Sequence, residues 1–215
     1  MKTVAFIPLR GGSKSIPLKN IKDLWGKPLC YWTIYEACKC NFIEKIFVAT
    51  DDERIKNCVE KFKFERVEVI SRSPQTATDT ATSESALIEF CQNYDFENVY
   101  FIQATSPFLK SDDLKKANEL FLKEQPDSML SVVRKKQFLW NVDGTPMNYN
   151  PQKRPRRQDW DGYFVENGAF YFSSRMSILK YECRISGKIL PVEMEEKSLF
   201  EIDEPKDFEL FERLK

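Results

Sequence analysis

The residues with chemistry to offer fall in a few short stretches of this chain. The first is Arg10-Gly11-Gly12-Ser13-Lys14-Ser15-Ile16-Pro17-Leu18-Lys19-Asn20, directly after the apolar run Val4 to Leu9. Adjacent glycines let a backbone come close to a ligand, and successive amides there can form a nest for an anion. Arg10, Lys14 and Lys19 add three cations to the same loop. The spacing fits neither the G-x-x-x-x-G-K-[ST] nucleotide loop nor the dinucleotide G-x-G-x-x-G. A solvated basic loop is the plain alternative. Cation density, the glycine pair and the position after a strand together predict a triphosphate cradle.

The second stretch is Glu201-Ile202-Asp203. On a strand, residues i and i+2 face the same way, so both carboxylates would project together while Ile202 packs behind them. Two oxygen donors on one side suit magnesium (Mg2+), which takes one or two carboxylates and fills its shell with phosphates and waters. The alternative is surface acidity ahead of a helix whose first turn holds Glu204, Pro205 and Asp207.

Four further stretches could meet a ligand. In Gln103-Ala104-Thr105-Ser106-Pro107, the Gln103 amide could read a base or sugar edge. Thr105 and Ser106 could bind ligand or simply cap a turn. Asp79-Thr80-Ala81-Thr82-Ser83 reads first as a helix cap and second as a nucleotide contact. Lys153-Arg154-Pro155-Arg156-Arg157, followed by Gln158, packs four cations into five residues. Such a patch could contact nucleic acid, or hold a carboxylate in a guanidinium fork. In Glu166-Asn167-Gly168-Ala169-Phe170-Tyr171-Phe172 the aromatics read as core, with Asn167 and Tyr171 as polar handles.

Composition narrows these options. The 215 residues include no histidine, which removes Ser-His-Asp and Cys-His nucleophiles, His-bearing zinc sites and imidazole bases. Lys and Arg total 33 against 33 Asp and Glu. That balance argues against a nucleic-acid binder relying on diffuse basic charge and favours the carboxylate-holding reading of the Arg154–Arg157 patch. Six cysteines without a C-x-x-C pair read as free thiols in a reducing cytosol. No apolar run approaches the roughly 20 residues that span a bilayer, and the apolar N-terminal run is too short for a signal segment. A cytoplasmic protein without membrane or nucleic-acid partners is expected.

The elements that must position these residues follow from periodicity. Apolar runs at 4–9, 45–50, 67–70, 99–102 and 128–133 read as strands, and helical patterns fill 52–62, 83–94 and 112–123. Tyr31, Ile34, Tyr35 and Cys38 mark another helix. Strands separated by helices imply α/β architecture, a mostly parallel sheet with flanking helices. From Arg134 to Phe164 the chain turns polar, basic and aromatic, with Pro146, Pro151, Pro155 and an Asp143-Gly144 turn. An insertion of that length without its own core leans on the parent domain or a second subunit. Regular structure resumes at 168–172, and a helix closes the chain from about Pro205.

Taken in order, P-x-R-G-G-S-K-x-I-P-x-K-N, Q-x-T-S-P, R-R-Q-D-W, E-N-G-A-F-Y and the late E-I-D resemble the CMP-sialic acid synthetases, or acylneuraminate cytidylyltransferases, in register from Val4 to about Phe208. The resemblance implies a nucleotide-diphosphosugar-transferase-like fold, a single catalytic domain over 1–215, and a homodimer built through a 134–164 dimerisation insertion. It implies CTP and a nonulosonic acid as substrates, with Mg2+ as metal. By position, Arg10, Gly11, Gly12, Ser13, Lys14, Lys19 and Asn20 would hold triphosphate and cytidine, with Asp79 and Ser83 helping. Gln103, Thr105, Ser106, Arg157, Gln158, Asn167 and Tyr171 would line the substrate site, Arg157 clamping the acceptor's carboxylate. Glu201 and Asp203 would hold the metal, with Arg10, Lys14, Lys19 and Asp203 acting in catalysis.

Leu9, Ser15, Ala104 and Glu201 depart from the family's usual Ala, Gly, Pro and Asp. The Kdo-type enzymes have an Asp soon after the central strand's Gln; here none precedes Asp112, so the resemblance points to nonulosonates. Alternatives are a pseudaminate, legionaminate or amino-Kdo cytidylyltransferase, or a catalytically inactive nucleotide-binding subunit.

Overall fold

The structure is a computed structural model that describes residues 2–12, 15–78 and 80–214. Its elements in chain order are β1 (Thr3–Pro8), β2 (Asp23–Leu24), β3 (Lys27–Pro28), α1 (Leu29–Cys38), β4 (Lys45–Thr50), α2 (Glu53–Glu60), β5 (Val67–Ser71), α3 (Pro74–Ala77), α4 (Ser83–Asn93), β6 (Asn98–Ile102), α5 (Ser111–Glu124), β7 (Ser128–Lys135), β8 (Tyr163–Ser174), α6 (Arg175–Tyr181), β9 (Ile189–Met194) and α7 (Pro205–Arg213). The large sheet runs in the order β5-β4-β1-β6-β8-β7-β9. β8 lies antiparallel to β6 and β7, and the remaining pairs are parallel. The expected α/β fold with a mostly parallel sheet is therefore present.

Alternation along β1 explains the layering. Ala5 and Ile7 pack with Cys30, Ile34 and Ala37 of α1, Ile55 and Val59 of α2, and Leu114 and Ala117 of α5. Val4 and Phe6 point the other way, onto Ala86, Leu87, Phe90 and Cys91 of α4 and Ile178 of α6. Both faces are apolar because helices cover both, the usual condition of a parallel sheet. A third cluster, built on Leu24, Leu29, Phe108, Ile202, Phe208 and Phe211, joins α7 to the loop that follows β1.

Three features differ from the sequence expectation. β9 holds Pro191 within the strand; periodicity discounts such a run, but β9 is an edge, where a missing N–H costs little. β8 begins at Tyr163, five residues ahead of the expected Gly168, and its pairing with β7 slips between Leu130 and Val132. The buried Ser131 hydroxyl fills that slip by accepting from the Phe170 N–H at 3.0 Å. The third is Glu201-Ile202-Asp203, which belongs to no strand. It is an extended segment tied by the Ile202 N–H to the Thr105 carbonyl at 3.0 Å.

Between β7 and β8 the chain makes an excursion in which no residue from 136 to 162 is buried. Aromatic stacking holds it: Phe138 lies 4.8 Å from Trp160 at an interplanar angle of 10°, and 4.4 Å from Tyr149. The Arg154 guanidinium sits 4.3 Å over the same Phe138 ring.

Candidate active site

Ligands of open α/β sheets bind beyond the carboxyl ends of the strands, where the strand order reverses. Here β1 has β4 on one side and β6 on the other. At that point lies a cleft of about 280 Å³, lined by Pro8, Arg10, Lys19, Asn20, Arg72, Ala81, Ser83, Phe101, Gln103, Ala104 and Thr105. Six of the residues singled out in the sequence, from three separate segments, meet there.

The loop after β1 is held from several sides. The buried Asn20 donates its amide to the Arg10 carbonyl at 3.0 Å, folding the loop back on its own start. The Gly11 N–H donates to Asp51 at 2.9 Å, so that amide is spent on the neighbouring loop rather than offered to an anion. Gly11 is needed for close approach: a Cβ there would lie 2.7 Å from the Asp52 Cβ. Gly12 is exposed, with open space around it. Ser13 and Lys14 lie outside the described residues, as does Asp79.

Lys19 joins the two halves of the site. Its ammonium donates to the Ile202 carbonyl at 2.8 Å and to the Asp203 carboxylate at 3.0 Å, and its side chain is only 14% exposed. Beside it, burial and then the Asp203 charge push the Glu201 carboxyl up to about 7. The Lys19 charge first, and the buried Ser106 hydroxyl after it, pull the other way without offsetting burial. A Cβ on Gly168, whose φ is +66°, would collide with the Glu201 carboxylate and approach the Gln103 amide oxygen at 3.7 Å. Gly168 thus admits the carboxylate next to Gln103.

The acidic pair fits a divalent ion. Its donors are all oxygen, and a bound cation would offset the Asp203 charge that, after burial, raises Glu201. Among the described residues no group of three or more acidic or cysteine side chains could hold a metal, so such an ion would complete its shell with phosphate and water.

Arg72, at the end of β5, is a cleft residue that sequence reading missed. Its guanidinium donates to the Thr76 carbonyl; burial first lowers its pKa, and the Arg10 charge lowers it further against the pull of Asp51. Arg10 itself reaches the Thr78 carbonyl at 3.3 Å. Two guanidiniums on one cleft favour a polyanion between them. The only signal was a cation just past a strand's carboxyl end.

Other expected residues stand elsewhere. Asn167 is buried and its amide donates to the Ser198 hydroxyl at 2.9 Å, pinning the segment ahead of Glu201. Tyr171 is 3% exposed, and its hydroxyl donates to Glu166. Arg157 and Gln158 are exposed on the excursion. Arg157 lines a separate hollow with Lys136, Phe138, Leu139 and Arg154, away from the cleft of its own chain.

A family model for cytidylyltransferases matches residues 4–215. N-acylneuraminate cytidylyltransferase A of Danio rerio is 38% identical over 217 residues, covering 97% of this chain and 50% of the relative. Pseudaminic acid cytidylyltransferase of Campylobacter jejuni is 31% identical over 189 residues, covering 84% of this chain and 82% of the relative. The chain spans about half the length of the acylneuraminate relatives it matches. Among solved structures, a CMP:2-keto-3-deoxy-manno-octonic acid synthetase complexed with CTP superposes with a TM-score of 0.74 at 18% identity, covering 100% of this chain and 98% of that one. At that identity the likeness concerns the fold.

Proposed function

The chain belongs to the cytidylyltransferase family, and on that premise we propose that it activates a sialic-type nonulosonic acid with CTP, giving the CMP-sugar and pyrophosphate. The observation that carries the reading is the cleft at the sheet's reversal point, lined by Arg10, Lys19 and Arg72, whose Lys19 pairs at 3.0 Å with Asp203 of the Glu201–Asp203 pair. A triphosphate and the metal it travels with need those two charges side by side.

In this reading the acceptor's anomeric C2 hydroxyl oxygen attacks the α-phosphorus of CTP. The bond from that phosphorus to the bridging oxygen breaks, and pyrophosphate leaves with the electron pair. Arg10, Lys19 and Arg72 neutralise the charge growing on the departing group. Asn20 keeps Arg10 in place through its carbonyl. Gln103 and Ser83 orient base and sugar. Glu201 and Asp203 would hold Mg2+, which supplies charge neutralisation on the phosphates. No histidine exists to take the hydroxyl proton, which passes to water or to a phosphate oxygen.

We also propose a homodimer through 134–164. Trp140, Val142, Met147 and Phe164 are exposed large apolar side chains there, in the same stretch of chain as the Arg154–Arg157 cations. Pairing would cover them and bring Arg157 and Gln158 toward a partner's acceptor carboxylate. Six free cysteines suit a reducing, cytoplasmic setting, and no helix among the described residues is long and apolar enough to cross a membrane. A second acceptor reading, pseudaminate, is favoured by the Campylobacter relative, matched over most of its own length.

The test is a panel of nonulosonic acids incubated with the protein, CTP and Mg2+. Pyrophosphate release with at least one acid is expected. Release with none would overturn the enzyme reading and leave the inactive nucleotide-binding alternative.

A further inference from the structure

Behind the cleft, one nearly buried guanidinium touches three elements. Arg184, in the turn between α6 and β9, donates from Nε and Nη2 to both carboxylate oxygens of Glu84, the second of these at 2.6 Å. The two side chains are 15% and 30% exposed. The same guanidinium lies 4.6 Å over the Tyr171 ring of β8 and 5.0 Å over the Phe101 ring of β6. Those rings stack on each other at 5.9 Å.

Two of these contacts lead straight to the cleft. Phe101 lines it, and so does Ser83, the residue before Glu84 in the first turn of α4. The other end of α4 is held by a second arginine, Arg175, whose Nε donates to the Cys91 carbonyl at 2.7 Å. The helix is therefore fixed at both ends from the α6 side. A buried ion pair is a poor device for stability alone, since well-packed apolar groups would do as well. Its distinctive property is geometry: a planar fork accepts one orientation of a carboxylate and stacks flat on aromatic faces, which an ammonium cannot do.

We infer that Arg184 is a positioning residue for the nucleotide side of the cleft. Through Glu84 and the rings of Phe101 and Tyr171, it holds the first turn of α4 where Ser83 meets the nucleotide. This inference rests on the CTP reading above and adds to it a residue that lies outside the cleft wall.

The test uses the full chain as Arg184→Met, Arg184→Lys and the charge-exchanged pair E84R/R184E. Two readouts are taken: amide hydrogen exchange over 82–86, and CTP affinity by calorimetry in the presence of Mg2+. Arg184→Met should speed exchange over 82–86 while β6 amides stay protected, and should weaken CTP binding about tenfold. Arg184→Lys, which keeps the charge and loses the fork, should fall between, at about threefold. The exchanged pair should recover part of the affinity lost in Arg184→Met. A merely structural role would lower protection in β6 as well and leave no graded loss of affinity. Wild-type exchange over 82–86 together with an unchanged CTP affinity in both single variants would overturn the role of Arg184. Absence of CTP binding by the wild-type protein would overturn the underlying reading instead.

Discussion

Lys19 is the residue on which the two halves of the site meet. It contacts the carbonyl and carboxylate of 202 and 203, some 180 positions away in sequence. Asp203 is 65% exposed at its side chain, and an exposed pair of this kind contributes at most about 1 kcal/mol. Asp203→Asn should therefore leave the melting temperature nearly unchanged while abolishing pyrophosphate release. Full activity would remove Asp203 from the proposed metal site. Lys19→Ala should cost roughly 10²–10³ in kcat, the scale seen when one oxyanion-hole donor is lost. Gly11 is a steric prediction: Gly11→Ala puts a methyl 2.7 Å from the Asp52 Cβ and should destabilise by about 1–3 kcal/mol. Chemical denaturation measures it, and an unchanged midpoint would contradict the close approach.

At the scale of elements, two contacts hold the site together from outside. The Trp25 indole N–H donates to the Phe211 carbonyl at 3.0 Å, and its ring packs on Trp32, Phe108 and Phe211. Trp25 thereby docks α7, which directly follows the 201–203 carboxylates, onto the segment after Lys19. Trp25→Ala should cost about 3 kcal/mol and raise the Mg2+ concentration needed for turnover. The second contact is the cap of α2. Asp52 accepts from the Arg54 N–H at 2.8 Å and pairs with its guanidinium. The Arg54 side chain first, then the helix amides, hold the Asp52 carboxyl down at about 2. The folded value lies below the ordinary aspartate value of about 3.9, so the stabilisation is complete above that and is lost as pH falls through about 2. Asp52→Ala should cost about 1 kcal/mol at neutral pH. Urea midpoints of the two proteins should converge between roughly pH 4 and pH 2; a gap that widens with acid would contradict the sign.

For the whole molecule, the sheet was legible where neighbouring residues decide the outcome. Val4–Leu9, Lys45–Thr50 and Asn98–Ile102 carry their strand signal locally. The remainder depends on residues far apart in sequence. A lone cation past a strand end is all that marks Arg72, because its place in the cleft comes from β5 pairing with β4. Gly11 looked like an anion-binding amide until Asp51, 40 residues on, took its N–H. Tyr171 looked like a polar handle until Glu166 and Arg184 closed over it. β9 hid behind Pro191, which only an edge position excuses.

The exposed Trp140, Val142, Met147 and Phe164 also acquire meaning only at this scale. Sedimentation should show a dimer that Trp140→Glu shifts toward monomer, and a wild-type monomer at all concentrations would contradict that assembly. The central claim, attack at the α-phosphorus of CTP, is tested most directly by phosphorus NMR of CTP, Mg2+ and a nonulosonic acid with the protein. The account predicts that the three CTP resonances give way to pyrophosphate and one new phosphodiester signal, and only when the acid is present. Conversion to CDP and inorganic phosphate, or no change with any acid, would contradict it.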